Sequence, residues 1–263
     1  MTSIAAACRL PERVAGFHFF SPVPLMKIVE VIEGVLSAPW VGETLTALAR
    51  RMGHTPVRAK DTPGFIVNHA GRGFLTEALR IVGEGIADFA TVDRVLRAAA
   101  GFRLGPFELL DLTGLDVSHP VMESIYDQYY QEPRYRPSPI ARQRLAAGLL
   151  GRKSGRGFYV HADGKPQTPP APAAPALRDV AIWISARDGA AHSALAQRLK
   201  AAGVGLDRGA RPGAESVCVV LPLGVDATGA ALDEGLDPTR TVALDPLFLD
   251  RQATLMCTPV TAV

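Results

Sequence analysis

Apolar and polar residues alternate over short stretches near the start of the chain, which predicts strands. Residues 16–20 (GFHFF) form an apolar, aromatic run of strand character, and the SPVP of residues 21–24 interrupts it. Residues 26–32 predict a second strand, with successive side chains on opposite faces. Because two short strands joined by so short a break usually lie side by side, His18 and Glu30 are expected to meet across the pair.

Helical spacing of apolar residues dominates the stretch that follows. Pro63 is expected to open a long helix that contains Asn68, and Thr2 or Ser3 is expected to cap a short helix at the amino end. The glycine-rich run GRKSGRGFY (residues 151–159) is interpreted as a turn and strand. The predicted helices cover about 2–8, 40–52, 63–82, 92–100, 118–130 and 139–150, with a further helix opening at Gly105–Pro106 and a strand at 54–60.

The last third of the chain has a different pattern. GKPQTPPAPAAP (residues 164–175) is rich in proline and alanine and is interpreted as a linker that packs neither as helix nor as sheet. After it, strands are predicted at about 180–185, 216–221, 240–244 and 253–259, with a helix at about 190–202. This alternation predicts a small parallel or mixed α/β layer. Its strand-to-helix turn, SARDGAA, lacks the glycine triplet of a pyrophosphate-binding turn.

Composition excludes several classes of function. A formal net charge of +2 without a block of Lys or Arg argues against nucleic acid and membrane surfaces as partners. No secretion signal or bilayer-length apolar run is present in the sequence, so the chain is expected to be cytoplasmic. Its three cysteines and six histidines show no metal-ligand spacing, so no metal is expected.

His18 and Glu30 are the candidate chemical pair. A carboxylate beside an imidazole fixes its tautomer and stabilises the imidazolium once the ring has taken a proton, which suits a general base. The alternative is a half-buried histidine beside a strand-edge carboxylate, with no chemistry. Spacing alone leaves both open.

Several stretches, in order, resemble the 3-hydroxyacyl-CoA dehydrogenase family. Residues 18–34 (HFFSPVPLMKIVEVIEG) resemble its catalytic strand pair, and residues 60–85 (KDTPGFIVNHAGRGFLTEALRIVGEG) resemble the opening of its helical C-terminal domain. Residues 101–117 (GFRLGPFELLDLTGLDV) and 151–161 (GRKSGRGFYVH) resemble the middle and end of that domain. Residues 131–139 (QEPRYRPSP) are similar to the bacterial branch that acts on 3-hydroxyadipyl-CoA in phenylacetate breakdown.

The resemblance implies a fold class of α/β plus all-α. It divides the chain into a C-terminal remnant of a Rossmann-like dinucleotide-binding domain (1–60), a helical substrate and dimerisation domain (61–163), the linker (164–175) and a small degenerate Rossmann-like α/β domain (176–263). A homodimer through the helical domain is expected. Its contact is expected to use the apolar positions Phe107, Leu109, Leu110 and Leu112.

The resemblance also implies the site. His18 matches the family's general base and Glu30 its partner, while Asn68 matches an asparagine that contacts the substrate and the histidine. Ser21, which stands where the family more often has asparagine, is assigned with Asn68 to substrate binding. The implied reaction is NAD-dependent oxidation of the C3 hydroxyl of an acyl-CoA, in fatty acid β-oxidation or phenylacetate catabolism.

The cofactor-binding residues stay unknown. The family's GxGxxG fingerprint lies upstream of the histidine strand, and this sequence contains no such fingerprint. The chain is therefore expected to be an internal fragment, weak or inactive alone. Three functions stay open: a 3-hydroxyacyl-CoA dehydrogenase, a non-enzymatic dimerising or acyl-CoA-binding remnant, and a catalytic half that a separate polypeptide complements.

Overall fold

The computed structural model describes residues 1–170 and 180–262. Contacts divide the chain into two compact units. Unit 1 comprises residues 1–89 and 106–167, and unit 2 comprises residues 90–105 and 168–263. No helix in the described part of the chain is long and apolar enough to cross a bilayer.

Unit 1 contains a three-stranded sheet of β1 (Ala15–Phe19), β2 (Ile28–Glu33) and β3 (Thr55–Lys60), in that order. β1 is antiparallel to β2, and β3 runs parallel to β2 after a crossover through α2 (Pro39–Arg51). The central strand buries Val29, Val31 and Ile32 completely, and this apolar burial stabilises the sheet. The predicted strands and helix are present, displaced by at most two residues.

Helices form the rest of unit 1. They are α1 (Thr2–Ala6), α3 (Val67–Ala70), α4 (Arg72–Gly83), α6 (Pro106–Thr113), α7 (Leu115–Gln128) and α8 (Pro139–Ala146); α5 (Phe89–Ala98) lies in unit 2 except for its first residue. Phe107 and Leu110 of α6 are fully buried within this helical set, whereas Leu109 is half-buried and Leu112 is exposed. The prediction that all four lie at a dimer contact is therefore wrong for Phe107 and Leu110, because the fold of the single chain already buries them.

The long helix expected from Pro63 to Val82 is not continuous. Gly64 and Phe65 have positive φ values of 78° and 50°, so they form a turn, and helical structure begins at Val67. A short break at Gly71 separates α3 from α4. The expected cap of α1 is also wrong, since Thr2 and Ser3 lie inside that helix and the Thr2 hydroxyl accepts the Val35 N–H instead.

A buried carboxylate closes the helical set at residues 151–161. The Asp111 side chain accepts hydrogen bonds from the Phe158 N–H (2.8 Å), the Tyr159 N–H (2.9 Å) and His161 Nε2 (2.9 Å). Gly157 lies so close to Asp111 that a Cβ there would clash with the carboxylate. This packing explains the glycines of the run, which was interpreted as a turn and strand: it forms a turn and leads into β4 (His161–Ala162).

The linker prediction needs one correction. Lys165–Pro166 forms β5, which pairs with β4 as a small antiparallel hairpin, so the expected spacer does not begin at Gly164. The turn at Asp163–Gly164, where both residues have positive φ, folds these residues back on unit 1. Residues 171–175 of the predicted linker lie outside the described residues.

Unit 2 is built on a five-stranded mixed sheet in the order β10-β9-β8-β6-β7. Only β10 is antiparallel to its neighbour, so the mixed α/β layer that the sequence predicted is confirmed. Apolar residues of the sheet pack against α9 and α10 on its two faces. The elements are β6 (Ile182–Ile184), α9 (Gly189–Ala201), β7 (Leu206–Asp207), β8 (Val217–Val220), α10 (Ala227–Asp233), β9 (Thr241–Leu244) and β10 (Leu255–Cys257).

Candidate active site

The predicted meeting of His18 and Glu30 is present in unit 1. The antiparallel register of β1 and β2 places the two residues opposite each other. Nδ1 of His18 lies 2.7 Å from Oε2 of Glu30. The Glu30 side chain is fully buried, whereas the His18 side chain is 33% exposed, so the pair joins a buried carboxylate to a ring that solvent can reach.

Two backbone amides hold the other oxygen of Glu30. The N–H groups of Ile66 and Val67 both donate to Oε1 at 2.9 Å. These amides lie at the start of α3, where a helix leaves N–H groups without an internal acceptor. The turn at Gly64 and Phe65 replaces the first residues of the expected long helix. It directs the Ile66 and Val67 N–H groups at the Glu30 carboxylate. Glu30 therefore cannot rotate away from His18 without breaking two further hydrogen bonds.

This arrangement selects one tautomer of His18. A carboxylate only accepts hydrogen bonds, so Nδ1 carries the proton and donates it to Glu30. Nε2 is then the basic nitrogen, and it makes no hydrogen bond within the described residues. The rings of Phe20 and Phe65 approach the imidazole edge-to-face, at centroid distances of 4.8 and 5.5 Å, and fix its orientation. The geometry supplies a positioned proton acceptor that faces outward.

The other two predicted residues make no hydrogen bond with this pair within the described residues. Asn68 is half-buried in α3, beside Val67, and its side chain makes no hydrogen bond among the described residues, including to His18. Ser21 is exposed at the start of the β1–β2 connection, next to Phe20. Ser21 follows Phe20 in the chain and Asn68 follows the Val67 amide that holds Glu30, and neither side chain makes a hydrogen bond among the described residues.

Sequence reasoning missed two features that lie beyond Asn68. His69 contacts the hydroxyls of Tyr129 (3.0 Å) and Tyr135 (3.4 Å), and burial, together with the neighbouring Tyr135, raises the pKa of Tyr129. Arg72 is only 5% exposed, yet it carries a charge and its Nε and Nη1 have no hydrogen-bond partner. The sequence gives no signal for this burial, because a charged residue of an amphipathic helix is expected on the exposed face.

Unit 2 has the topology of a nucleotide-binding layer without the matching chemistry. β7 lies on one side of β6 and β8 on the other, so the connections from β6 to β7 and from β7 to β8 run in opposite directions across the sheet. At such a reversal a crevice lies at the carboxyl ends of the two central strands, here β6 and β8. Asp188 already caps α9 by accepting the N–H groups of Ala190 and Ala191, both at 3.0 Å. The carboxylate of Asp207, at the end of β7, is held by its own loop. Neither residue leaves the donors that a pyrophosphate needs.

Comparison with known proteins assigns the family. Residues 1–62 match the NAD-binding domain of 3-hydroxyacyl-CoA dehydrogenase, and residues 64–161 match the C-terminal domain of the same family. The matched segments contain the whole His18–Glu30 site and the helices that support it. The chain belongs to the 3-hydroxyacyl-CoA dehydrogenase family.

Individual relatives agree with this assignment. The chain is 46% identical over 159 residues to 3-hydroxyadipyl-CoA dehydrogenase of Escherichia coli K12, which covers 60% of this chain and 34% of that protein. It is 40% identical over 159 residues to human mitochondrial hydroxyacyl-coenzyme A dehydrogenase, covering 60% of this chain and 51% of that protein. The chain therefore spans about a third to about half of the length of these relatives.

Solved structures extend the likeness to the whole chain. The crystal structure of 3-hydroxybutyryl-CoA dehydrogenase from Escherichia coli K12 superposes with a TM-score of 0.72 at 32% identity, covering 98% of this chain and 50% of that one. The (S)-3-hydroxybutyryl-CoA dehydrogenase of Ralstonia eutropha gives a TM-score of 0.59 at 38% identity over 62% of this chain and 57% of that one. The first match therefore extends beyond residue 161, where the second family domain ends.

Proposed function

We propose that this chain carries the proton-transfer site of a 3-hydroxyacyl-CoA dehydrogenase. The observation that carries the proposal is the His18–Glu30 pair, in which a buried carboxylate with two backbone donors orients a solvent-facing imidazole. Oxidation of a C3 hydroxyl needs a base for the hydroxyl proton at the moment hydride leaves the carbon. Nε2 of His18 is that base.

The role of each group follows from its bonds. The Nε2 lone pair takes the hydroxyl proton, and the ring becomes an imidazolium. Its Nδ1–H keeps the 2.7 Å bond to Glu30, which now joins opposite charges and is stronger for it. Because Glu30 is already fixed, no reorganisation is needed during proton transfer. A positioned base of this kind contributes roughly 10²–10⁴ in rate.

NAD is the cofactor of the family, and when bound it accepts the hydride. The described residues do not contain a complete cradle for it. α2 begins at Pro39, and its N-cap residue Ala38 makes no side-chain hydrogen bond. The N-terminus of α9 is already capped by the Asp188 side chain. Neither helix presents the glycine-lined N-terminus that holds a pyrophosphate. The steps assigned here therefore concern only the chain's own proton transfer.

Asn68 and Ser21 are proposed to contact the substrate. Both have side chains without a protein partner in the described residues, and Asn68 adjoins the Val67 amide that holds Glu30. An amide that offers both a donor and an acceptor suits the hydroxyl and thioester oxygens of a 3-hydroxyacyl-CoA.

The pathway, location and oligomeric state are proposed from separate observations. The relative with 46% identity is named for 3-hydroxyadipyl-CoA, which favours a place in phenylacetate catabolism over general β-oxidation. We also propose a cytoplasmic location, where the free cysteines Cys8, Cys218 and Cys257 would stay reduced. The exposed apolar positions Leu112 and Val117 of the helical set support a homodimer contact there.

The test follows NADH formation from 3-hydroxybutyryl-CoA, and its consumption with acetoacetyl-CoA, in wild type and in His18→Gln. Each is assayed alone and with a separately supplied NAD-binding domain of a family member, so that a catalytic half acting in trans is also detected. We expect His18→Gln to lower kcat by roughly 10²–10⁴ with a smaller change in KM. His54→Gln is the control, since this half-buried histidine lies in the same unit outside the pair.

Turnover that falls with His18→Gln and not with His54→Gln supports the proposal. Saturable acyl-CoA binding without turnover in either format identifies the chain as a non-enzymatic acyl-CoA-binding module and overturns the proposal. Full activity of His18→Gln removes the histidine from the mechanism.

A further inference from the structure

His69 lies between two tyrosine hydroxyls in unit 1, and it belongs to the helix whose first amides hold Glu30. Its Nδ1 is 3.0 Å from the Tyr129 hydroxyl, and its Nε2 is 3.4 Å from the Tyr135 hydroxyl. Both tyrosine rings also contact the imidazole, at centroid distances of 5.4 Å, and lie 4.7 Å from each other. A neutral imidazole has one donor and one acceptor nitrogen, so the two hydroxyls use both. We call these three side chains the histidine–tyrosine cluster.

Two segments of the helical set bring the tyrosines to this histidine. Tyr129 lies at the C-terminal end of α7. The chain then reverses at Tyr130 and Gln131, which have positive φ values of 53° and 62°, and Tyr135 returns to the same imidazole. Burial, together with the neighbouring Tyr135, raises the pKa of Tyr129, so its hydroxyl keeps its proton at neutral pH and can donate to the ring. The cluster therefore attaches α3 to the end of α7 and to the segment that follows it.

α3 needs such an attachment because it consists of a single turn. It spans only Val67–Ala70, and an isolated helix of that length is not stable in water. Its start nevertheless holds Glu30, since the Ile66 and Val67 amides both donate to Oε1 at 2.9 Å. His69 follows Val67 by two residues in the same turn. A displacement of α3 would therefore move both donors away from the carboxylate.

We infer that His69 is a positioning residue: the histidine–tyrosine cluster holds α3 in place, and α3 holds Glu30 in the orientation that fixes the His18 tautomer. This inference rests on the proposed function and deepens it. Within the described residues no hydrogen bond joins His69 to Glu30 or His18, so its effect passes through the α3 amides. The path joins the two family domains, because the base pair lies in residues 1–62 and the cluster in residues 64–161. The orientation of the base thus depends on how the helical set is attached to the strand pair.

The first test needs no turnover and compares His69→Phe with wild type. Phenylalanine keeps a ring and removes both nitrogens. Hydrogen exchange at the Ile66 and Val67 amides should become faster by roughly tenfold for each hydrogen bond lost, because α3 leaves Glu30 more often. Nitrogen NMR of the His18 ring should show a smaller share of the tautomer with its proton on Nδ1. His69→Gln, whose amide keeps a donor and an acceptor, should restore much of both signals. Exchange and tautomer unchanged in His69→Phe would overturn the inference.

Removal of single hydroxyls separates the hydrogen bonds from the packing of the rings, and it serves equally if His69→Phe does not fold. Tyr129→Phe and Tyr135→Phe should each speed exchange at the same two amides, the first more strongly because its contact with the imidazole is shorter. Tyr126→Phe is the matched control, since Tyr126 is half-buried on α7 and its hydroxyl makes no hydrogen bond among the described residues. Equal effects of Tyr126→Phe and Tyr129→Phe would assign the change to general loosening of α7 and overturn the inference.

A kinetic cycle distinguishes positioning from a general structural role. His69→Phe should lower kcat by roughly 10–100-fold with a smaller change in KM, the size of effect that a small misplacement of a catalytic group produces. In the Glu30→Gln background the same substitution should lower kcat no further, because its effect passes through Glu30. Equal losses in both backgrounds would overturn the inference.

The same measurements keep the two proposals apart. If wild type turns over and His69→Phe matches it in kcat, the inference about His69 fails while the dehydrogenase assignment stands. If wild type shows no turnover, alone or with a supplied NAD-binding domain, but exchange and tautomer respond to His69→Phe as expected, the dehydrogenase assignment fails and the positioning of Glu30 by His69 stands.

Discussion

At the scale of single residues, the proposed proton transfer depends on the hydrogen bonds that the Glu30 carboxylate accepts. One of its oxygens takes the Nδ1 proton of His18, and the other takes two backbone N–H groups. Because backbone N–H groups only donate hydrogen bonds, these amides can hold a side-chain oxygen but not the NH₂ group of a glutamine. The carboxylate thus fixes the histidine tautomer through its own attachment to α3. In the proposed mechanism, Glu30 is a positioning residue that acts on the substrate through His18.

Replacement of Glu30 by Gln should test this directly. The amide oxygen stays with the Ile66 and Val67 donors, so its NH₂ group turns toward His18. Nδ1 must then accept a hydrogen bond, the ring proton moves to Nε2, and the base is lost. We expect kcat to fall by up to roughly 10²–10⁴, the contribution of a positioned base, because the wrong tautomer leaves no proton acceptor at Nε2. Nitrogen NMR of the labelled ring should report the proton on Nε2.

Glu33→Gln is the control for that experiment. Glu33 ends the same strand, and its carboxylate pairs with Arg58 at the surface, away from His18. Its loss should leave kcat and the His18 tautomer unchanged. A Glu30→Gln variant with normal kcat, or with the proton still on Nδ1, contradicts the tautomer argument.

At the scale of elements, the sequence predicted the strand pair well because period-two alternation and the SPVP break both act locally. The His18–Glu30 register followed from the same local signals. The start of α3 did not, because Gly64 and Phe65 adopt positive φ where the chain meets Glu30 of a distant strand. The Pro63–Gly64 dipeptide favours a turn, but only the tertiary hydrogen bonds to Glu30 set where that turn ends and α3 begins.

Short elements were missed for a related reason. β7 comprises only Leu206–Asp207, in a glycine-rich stretch with little strand propensity, and pairing with β6 creates it. α10 consists largely of small residues and is held by the Asp226 side chain, which accepts the Gly229 N–H. The buried, unpaired Arg72 could not be foreseen, since a helix pattern places a charged residue outside by default.

Asp207 is expected to make the stability of the loop after β7 depend on pH. Asp207 accepts bonds from the Gly213 N–H (2.7 Å), the Ser216 hydroxyl (2.7 Å) and the Gly209 N–H (2.9 Å). These bonds stabilise the charged form and lower the pKa of Asp207. The group therefore stabilises unit 2 at any pH above the unfolded value of about 3.9. That contribution is lost as pH falls through the lower folded value.

Asp207→Asn should accordingly lower the free energy of unfolding at neutral pH, and its difference from wild type should shrink below about pH 4. Urea unfolding followed by tryptophan fluorescence suits the measurement, because buried Trp183 donates its indole N–H to the Gly209 carbonyl of this loop. Asp250→Asn, at an exposed residue with no side-chain hydrogen bond in the described chain, should match wild type throughout. A pH-independent difference for Asp207→Asn contradicts the linkage.

At the scale of the whole molecule, the proposed proton-transfer site and the five-stranded sheet with a doubly wound strand order lie in different units. Unit 1 combines the Rossmann-like layer with the helical set, and both family domains match within residues 1–161. Unit 2 keeps a doubly wound strand order, but Asp188 and Asp207 use their carboxylates for its own turns. The helical set of unit 1 also presents apolar side chains outward, which one chain leaves uncovered.

That surface underlies the expectation of a homodimer. Leu112 of α6 and Val117 of α7 are 49% and 54% exposed. The hydroxyls of the next residue after each, Thr113 and Ser118, form a hydrogen bond with each other at 2.6 Å. A charge at the centre of an apolar contact is strongly unfavourable, so Leu112→Asp and Val117→Asp should each shift the protein from dimer to monomer in light scattering at micromolar concentration. Val225→Asp is the matched control, since Val225 is equally exposed at 54% but lies in unit 2, and it should leave the dimer intact. A monomeric wild type, or dimers unaffected by both changes in the helical set, would count against a contact at this surface.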